Sequence, residues 1–413
     1  MMCGKSLFRT IILSIFFFVV IYPLKFVFFP YVTTRVLLGV IGTPLFLNHG
    51  LVRIVGKNNN ILASLLLVSV LAIIAILVNG TSDLVFVLYP LTVLFIFSSC
   101  TLLIYLVKKG EKEVTVENIS FYFISAVNIQ LILTLLFFLF PSLKDVMLSL
   151  LTAELQPLSL DRAGDMSFRI TGFGSQYATA GMVNCAAVVI SAYMFRREKK
   201  YRLYYAVSLL LLFTIGNALS RTTLAGFAVA AVYLVITAKK STILASIKYI
   251  IPLVVALFFV SRITINDEMD QQLRFAFEIF YSYFEDGTVE TGSSNALFDS
   301  YSIVPKNPKT WIIGDGRFDG DTSDSNYMEV DAGFSRMIFY FGIIGLISIG
   351  IFHYRLKRSM ENVINDRALP SMLFILFLIL NFKGYCLYAL YFGLYLFIPQ
   401  MYQTPITWTK KSN

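Results

Sequence analysis

The sequence is divided into about a dozen long apolar blocks, separated by short polar turns and one long polar stretch. A helix needs about 20 mostly apolar residues to cross a bilayer. Blocks of this length favour helices over barrel strands, because a helix satisfies its backbone polar groups within its own segment. Charged residues make up only 14% of the chain, well below the content of soluble domains. The sequence therefore predicts an all-α polytopic membrane protein.

We expect about twelve transmembrane helices in a single integral membrane domain covering residues 1–413. Eleven helices with a re-entrant segment is the alternative, because polar residues interrupt the second and eleventh blocks. The expected spans are 10–30, 33–52, 61–79, 84–107, 120–141, 174–195, 202–219, 222–238, 243–260, 334–353, 367–383 and 385–403.

Basic residues are distributed unevenly around these blocks. If the N-terminus is cytoplasmic and the chain alternates, 21 of the 34 Lys and Arg residues lie in cytoplasmic segments. Short loops rich in Lys and Arg face the cytoplasm, so we expect both termini there and the loops 142–173 and 261–333 on the outer side. The net charge of +9 then reflects topology and attraction to anionic membrane lipid, and no nucleic-acid partner is expected.

Both outer loops contain helical periodicity. Residues Leu143 to Leu155 form an amphipathic stretch, which predicts a short helix on the surface. In the long loop, 261–333, two further stretches, Met269 to Phe284 and Ala296 to Val304, have helical spacing. A long polar loop on a membrane bundle is where binding or chemistry is usually found.

Histidine and cysteine offer little chemistry. The four cysteines have neither disulfide nor metal-ligand spacing. His49 and His353 are expected at the membrane interface, so a base on the outer side has to be another residue type. Asp319-Gly320-Asp321 is similar to the Asp-x-Asp of metal-dependent transferases, but the long loop carries 14 acidic residues. We interpret the motif as a chance occurrence and expect no metal and no cofactor.

Arginines at the outer ends of the apolar blocks are candidates for anion binding. Arg221 lies between two blocks, where it is either an interfacial anchor or a bidentate clamp for a phosphate group. Thr222 and Thr223 would then open and help to cap the next helix. Arg169 precedes the sixth block, and Gly172 and Gly174 there would allow close backbone approach to a ligand.

Three further arginines, Arg274, Arg317 and Arg336, are weaker candidates for the same role. Each has loop acids nearby in the sequence. Pairing with such an acid is the usual arrangement for a surface charge.

Three segments, in this order, carry a resemblance to a known family. They are Arg169-Ile170-Thr171-Gly172, Ser220-Arg221, and Asp331-Ala332-Gly333-Phe334 followed by Phe341-Gly342-Ile343-Ile344-Gly345-Leu346. With a large loop late in a chain of ten to fourteen helices, the sequence resembles the O-antigen polymerases of Gram-negative inner membranes, within the O-antigen ligase/polymerase group. The architecture matches over nearly the whole chain, while each short motif is loose by itself.

The resemblance implies a glycosyltransferase of lipopolysaccharide biosynthesis, which acts at the periplasmic face on undecaprenyl-pyrophosphate-linked oligosaccharides. It implies that Arg169, Arg221, Arg274, Arg317 and Arg336 bind the pyrophosphate. It also implies that Asp331 is the catalytic base and that a chain-length regulator protein is a partner.

The alternatives are an O-antigen ligase, a polymerase of a different surface polysaccharide, and a polysaccharide flippase or other transporter. The resemblance implies that a ligase of this group has a periplasmic histidine. The expected outer loops of this chain contain no histidine. Many transporters have internal repeats, and the sequence shows none.

Overall fold

The described part of the chain is built from helices. The computed structural model describes residues 4–56, 60–111, 113–152, 170–174, 177–237, 271, 274–287, 292–320 and 325–398. No β-strand occurs among these residues, as the sequence predicts. The principal helices are α1 Gly4–Ile21, α2 Thr34–Val55, α3 Ile61–Asn79, α4 Tyr89–Gly110, α5 Val116–Leu139, α6 Pro141–Ser149, α7 Tyr177–Arg197, α8 Arg202–Leu219, α9 Thr223–Thr237, α10 Glu278–Asp286, α11 Gly292–Ser302, α12 Pro308–Ile312, α13 Gly333–Ile364, α14 Ala368–Lys383 and α15 Ala389–Leu396.

Among the described residues, seven helices are long and apolar enough to cross a membrane, namely α2, α3, α4, α5, α7, α8 and α13. These helices confirm the all-α membrane class, and they coincide with seven of the expected spans. Helices α1, α9 and α14 contain shorter apolar stretches. The expected span 243–260 lies outside the described residues, and the expected span 385–403 contains the short helix α15. The total of twelve spans stays a prediction.

Helix α1 is shorter than the expected span 10–30, because it ends at Ile21. Pro23 follows closely, and the residue before a proline is disfavoured in helical conformation. Arg35 donates from Nε and Nη2 to two carbonyls at the end of α1, over 2.6 and 2.7 Å. A side chain from α2 therefore satisfies the carbonyls that the end of α1 leaves open.

The expected surface helix Leu143 to Leu155 is present as the shorter α6. Of the two stretches in the long loop, Ala296 to Val304 overlaps α11, and Met269 to Phe284 overlaps α10. Residues 153–169 and 251–270 lie outside the described residues.

Glycines allow pairs of helices to pack closely. A Cβ atom at Gly42 of α2 would lie 2.2 Å from the carbonyl oxygen of Ser98 in α4. A Cβ atom at Gly226 of α9 would lie 2.7 Å from the Cα of Cys185 in α7. Helices in a membrane associate through such close contacts at small residues, since burial of apolar surface contributes little there.

Helix α13 is kinked at Phe341 and Gly342, where Gly342 has a φ of 71°. The N–H groups of Asp315 and Gly316 donate to α13 carbonyls just before the kink, over 2.6 and 2.9 Å. A Cβ atom at Gly342 would lie 2.1 Å from the carbonyl oxygen of Ile312. Residues 312–316 of the long loop therefore pack against the kink, and two of their N–H groups satisfy carbonyls there.

The helix ends form two separate groups. At one end, the amide of Asn79 donates to the carbonyl of Gly314, and Lys383 donates to Thr222. At the opposite end, Arg197 pairs with both Glu117 and Asp366. We call the first group, which includes the described part of the long loop, the loop end of the bundle.

Candidate functional site

A cavity of about 410 Å³ lies at the loop end, where three chain segments meet. The segments are the turn between α8 and α9, the chain leading into α13, and the turn after α14. The charged side chains lining it are Arg221, Asp331, Arg336 and Lys383. Much of the remaining wall is apolar or aromatic and includes Met182, Leu219, Phe275, Leu380 and Tyr385. Its volume lies within the range of about 300–1,000 Å³ that is usual for ligand pockets.

The turn that carries Arg221 is fixed by buried hydrogen bonds. Helix α8 ends at Leu219, and Ser220 is extended, with φ −157° and ψ 115°. The hydroxyl of Thr223 donates to the carbonyl of Ser220 over 2.7 Å. The amide of buried Asn184, in α7, donates to the Thr223 hydroxyl over 3.3 Å. Thr223 therefore opens α9, as the sequence predicts, and its hydroxyl links α9 back to α8 and α7.

The Arg221 side chain is only 14% exposed and has an acidic and an aromatic partner. Its Nη1 forms an ion pair with Glu278, the first residue of α10. Its guanidinium carbon lies 4.2 Å from the centre of the Phe275 ring. A buried cation requires such partners, and they direct the guanidinium to the cavity wall.

Arg336 reaches the cavity from the first turn of α13 and is 12% exposed. Its Nη2 donates to the carbonyl of Phe318 over 3.0 Å and to the carboxylate of Asp319 over 3.3 Å. Its Nε has no hydrogen-bond acceptor among the described residues. This nitrogen is a buried donor of the guanidinium whose hydrogen bond is not made within the described part of the chain.

Asp331 lines the same cavity with an exposed side chain. The amide of Asn326 donates to its carboxylate over 2.5 Å, and the backbone N–H of Asp331 donates to Ser300 over 3.0 Å. The structure thus brings together three residues from the predicted set, Asp331, Arg221 and Arg336. Arg221 is more than 100 residues from Asp331 and Arg336 in the sequence, so the fold brings it to them.

Lys383 is a cavity residue outside the set of site residues that the sequence predicts. It ends α14, and its Nζ donates to the hydroxyl of Thr222 over 3.0 Å. The available signal was a lysine that ends an apolar block. That signal is weak, because lysines at helix ends are common interfacial anchors.

The loop helix α11 is attached beside Lys383. The Tyr301 ring stacks on the ring of Phe382 with centroids 4.6 Å apart, and its hydroxyl donates to the Phe382 carbonyl. Burial raises the pKa of the Tyr301 hydroxyl to about 12. Tyr301 is therefore a neutral hydrogen-bond donor at physiological pH.

Two other predicted arginines do not line this cavity. Arg274 is exposed and pairs with Glu285 over 2.9 Å, which is the alternative that its loop position had left open. Arg317 is exposed and belongs to the turn between Gly316 and Phe318. Arg169 lies outside the described residues.

Only the first aspartate of the Asp319-Gly320-Asp321 motif lies within the described residues. The carboxylate of Asp319 pairs with Arg336, and Asp321 lies outside the described residues. Within the described part of the chain, no group of three or more His, Cys, Asp and Glu side chains is arranged to hold a metal ion.

The glycines after Arg169 have a packing role. Gly174 has a φ of 69°, and a Cβ atom there would lie 2.1 Å from the Leu24 side chain. Between Gly172 and Gly174, Phe173 is buried and stacks against Phe18. Both glycines are buried. Gly174 therefore allows close approach of the backbone to the side chain of Leu24, whereas the sequence predicted close approach to a ligand.

His353 is fully buried within the bundle, and its position at the membrane interface stays a prediction. Its Nδ1–H donates to the carbonyl of Ile349 over 3.0 Å, and its ring stacks on Phe377 with centroids 3.8 Å apart. The kinked α13 runs longer than its expected span, from Gly333 to Ile364, and this places His353 within the bundle.

The cavity has the chemistry of a site for an anion attached to an apolar group. Arginine forks bind phosphate oxygens in a bidentate manner. Three cations line the cavity, and two of them, Arg221 and Arg336, also pair with the carboxylates of Glu278 and Asp319, which hold the guanidinium groups at the cavity wall. The apolar wall provides contacts for a hydrocarbon portion of the same ligand.

Comparison of the chain with protein-family models, with curated proteins and with solved structures finds no match. The functional assignment therefore depends on the residues of the cavity and on the motifs of the sequence.

Proposed function

We propose that this protein is an O-antigen polymerase, a multi-pass glycosyltransferase of the bacterial inner membrane. Its donor is a growing glycan on undecaprenyl pyrophosphate, and its acceptor is a single repeat unit on the same carrier. The proposal combines the motif order of the sequence with the cationic cavity at the loop end.

The observation that carries the proposal is the presence of Arg221, Arg336 and Asp331 in one cavity. The two arginines are mostly buried, and apolar side chains surround them. A lipid-linked pyrophosphate combines multiple negative charges with a hydrocarbon chain. The charged part would contact the arginines of the cavity, and the hydrocarbon chain would contact its apolar side chains.

In the proposed reaction, a hydroxyl of the acceptor sugar attacks the anomeric carbon of the donor glycan. A glycosidic C–O bond forms, the bond from that carbon to the pyrophosphate oxygen breaks, and undecaprenyl pyrophosphate leaves. Asp331 accepts the hydroxyl proton. Arg221 and Arg336 stabilise the negative charge that develops on the leaving group.

The topology that we propose places the loop end on the periplasmic side. Both termini are then cytoplasmic, with about twelve transmembrane helices and periplasmic loops at 142–173 and 261–333. The opposite end of the bundle, which carries Arg197 and Arg358, is then at the cytoplasmic surface, in agreement with the positive-inside rule. A chain-length regulator protein would approach the periplasmic loops.

The test is deletion of the gene in its host, followed by gel analysis of the surface lipopolysaccharide. A polymerase deletion leaves lipid A core that carries a single repeat unit. Bare core without a repeat unit would indicate a ligase or a flippase, and an unchanged ladder would contradict all three assignments.

Complementation then tests the cavity. The wild-type gene should restore the ladder, and Arg221→Ala should not, although the protein is present in the membrane. Arg358→Ala is the matched control, because this arginine is 57% exposed and lies at the opposite end. Full restoration by Arg221→Ala would exclude the pyrophosphate role of Arg221.

A further inference from the structure

Lys383 adds a third cation to the cavity, from a segment outside the three motifs of the resemblance. Its Nζ lies 3.0 Å from the hydroxyl of Thr222, the neighbour of Arg221 in the sequence. The ammonium group therefore lies beside the turn that carries Arg221. Both side chains line the same cavity.

The turn after Lys383 is held in place by a buried asparagine. Asn381 is fully buried, and its amide donates to the carbonyl of Cys386 over 2.9 Å. In return, its side-chain oxygen accepts a hydrogen bond from the backbone N–H of Cys386 over 3.0 Å. These paired bonds close the turn and define the direction in which the chain leaves α14.

Backbone contact between two glycines brings this turn against the start of α13. A Cβ atom at Gly333 would lie 2.7 Å from the backbone of Gly384, so only glycine allows this approach. Gly384 follows Lys383, and Gly333 lies between Asp331 and Arg336. The contact therefore brings Lys383 to the same region as Asp331 and Arg336.

The three cations come from three separate segments and line one cavity. A pyrophosphate presents two linked phosphate groups and therefore offers oxygens to more of these cations at once than a monophosphate does. We propose that Lys383 is a substrate-binding residue that, with Arg221 and Arg336, makes the cavity selective for pyrophosphate over monophosphate lipids. This inference rests on the proposed function, since it assigns the substrate group of the same site.

The experiment measures binding of three probes to the purified full-length protein in detergent. The probes are farnesyl pyrophosphate, farnesyl monophosphate and inorganic pyrophosphate. Lys383→Met keeps most of the side-chain length and removes the charge, and Lys383→Arg restores the charge. Lys306→Ala is the matched control, because it removes one exposed lysine from the same loop end.

We expect Lys383→Met to weaken binding of farnesyl pyrophosphate about tenfold, the loss of one charge-assisted phosphate contact. Binding of farnesyl monophosphate should change by about twofold or less, which is the effect of a single exposed charge. Lys383→Arg should regain most of the lost affinity, and Lys306→Ala should bind as the wild type does.

Several results would overturn the inference. Equal weakening of both farnesyl probes would make Lys383 a general anion contact, and unchanged binding would remove it from the site. In both cases the wild type still binds the pyrophosphate lipid, so the proposed function stands. A wild type that binds neither farnesyl probe would overturn the proposed function as well. If inorganic pyrophosphate binds as tightly as farnesyl pyrophosphate, the cavity binds the free anion, and the inference of a site for a pyrophosphate lipid is overturned.

Lys383→Gln provides a second neutral variant if Lys383→Met does not yield monodisperse protein on gel filtration. The ratio of its affinities for farnesyl pyrophosphate and farnesyl monophosphate is then compared with the ratio for the wild type. A lower ratio supports the selectivity for pyrophosphate, and an equal ratio contradicts it.

Discussion

The guanidinium carbon of Arg336 lies 3.7 Å from the centre of the Phe318 ring. Phe318 belongs to the long loop, and its backbone N–H donates to the carboxylate of Asp83 over 2.7 Å. Its ring packs edge-on against Phe86 and Tyr385. The loop is therefore attached to the bundle directly beneath an arginine of the cavity, and the attachment holds the guanidinium in position.

Replacing Phe318 tests this positioning role. Phe318→Leu removes the cation–π contact, which contributes about 0.5–2 kcal/mol, so we expect polymer formation to slow by about 2- to 30-fold. The measurement is the rate of polymer formation in membranes that contain equal amounts of protein. Phe298→Leu is the control, because Phe298 is 65% exposed on α11. Equal rates in the two variants would mean that Phe318 does not position Arg336.

Arg336 should not be replaceable by lysine. The guanidinium donates to both the Phe318 carbonyl and the Asp319 carboxylate, and an ammonium group lacks this planar geometry. We expect Arg336→Lys to lower the rate about tenfold or more, the loss of at least one charge-assisted hydrogen bond. Arg358→Lys, at the opposite end, is the matched control. A normal ladder from Arg336→Lys would show that charge alone is sufficient.

Asp331→Asn should affect catalysis rather than binding. Loss of a general base lowers a rate by about 10²–10⁴-fold, whereas the two arginines that we propose to bind the pyrophosphate remain. We expect kcat to fall by this amount while the affinity for farnesyl pyrophosphate does not decrease. Asp299→Asn removes another exposed carboxylate, in α11, and serves as the comparison. A fall in affinity without a fall in kcat would assign Asp331 to binding.

Gly342→Ala should destabilise the protein, because it places a side chain at a positive φ and against the Ile312 backbone. The expected loss is about 1–3 kcal/mol, seen as a lower midpoint of thermal unfolding in detergent. Gly350→Ala is the matched control in the same helix, since its Cβ atom would meet no atom within 4 Å. It should leave the midpoint unchanged or raise it. Equal midpoints for the two variants would contradict a requirement for glycine at the kink.

The kink and His353 show why parts of the fold were not predictable. The apolar block that became α13 was expected to span 334–353, with His353 at its end. The helix instead continues to Ile364, and the loop residues Asp315 and Gly316 satisfy carbonyls at its kink. Hydropathy does not report such contacts, because they join residues that are distant in the sequence.

The sequence by itself determined the membrane class, most of the helical segments, and the arginines that end apolar blocks. Hydropathy over about 20 residues is a local property, so it can be read without the fold. The tertiary structure alone decided that Arg221, Asp331, Arg336 and Lys383 share one cavity. Lys383 and Thr222 are 161 residues apart, and their contact depends on the packing of α14 against α7 and α9. Packing of this kind follows from glycine contacts and buried hydrogen bonds, which no local pattern of the sequence specifies.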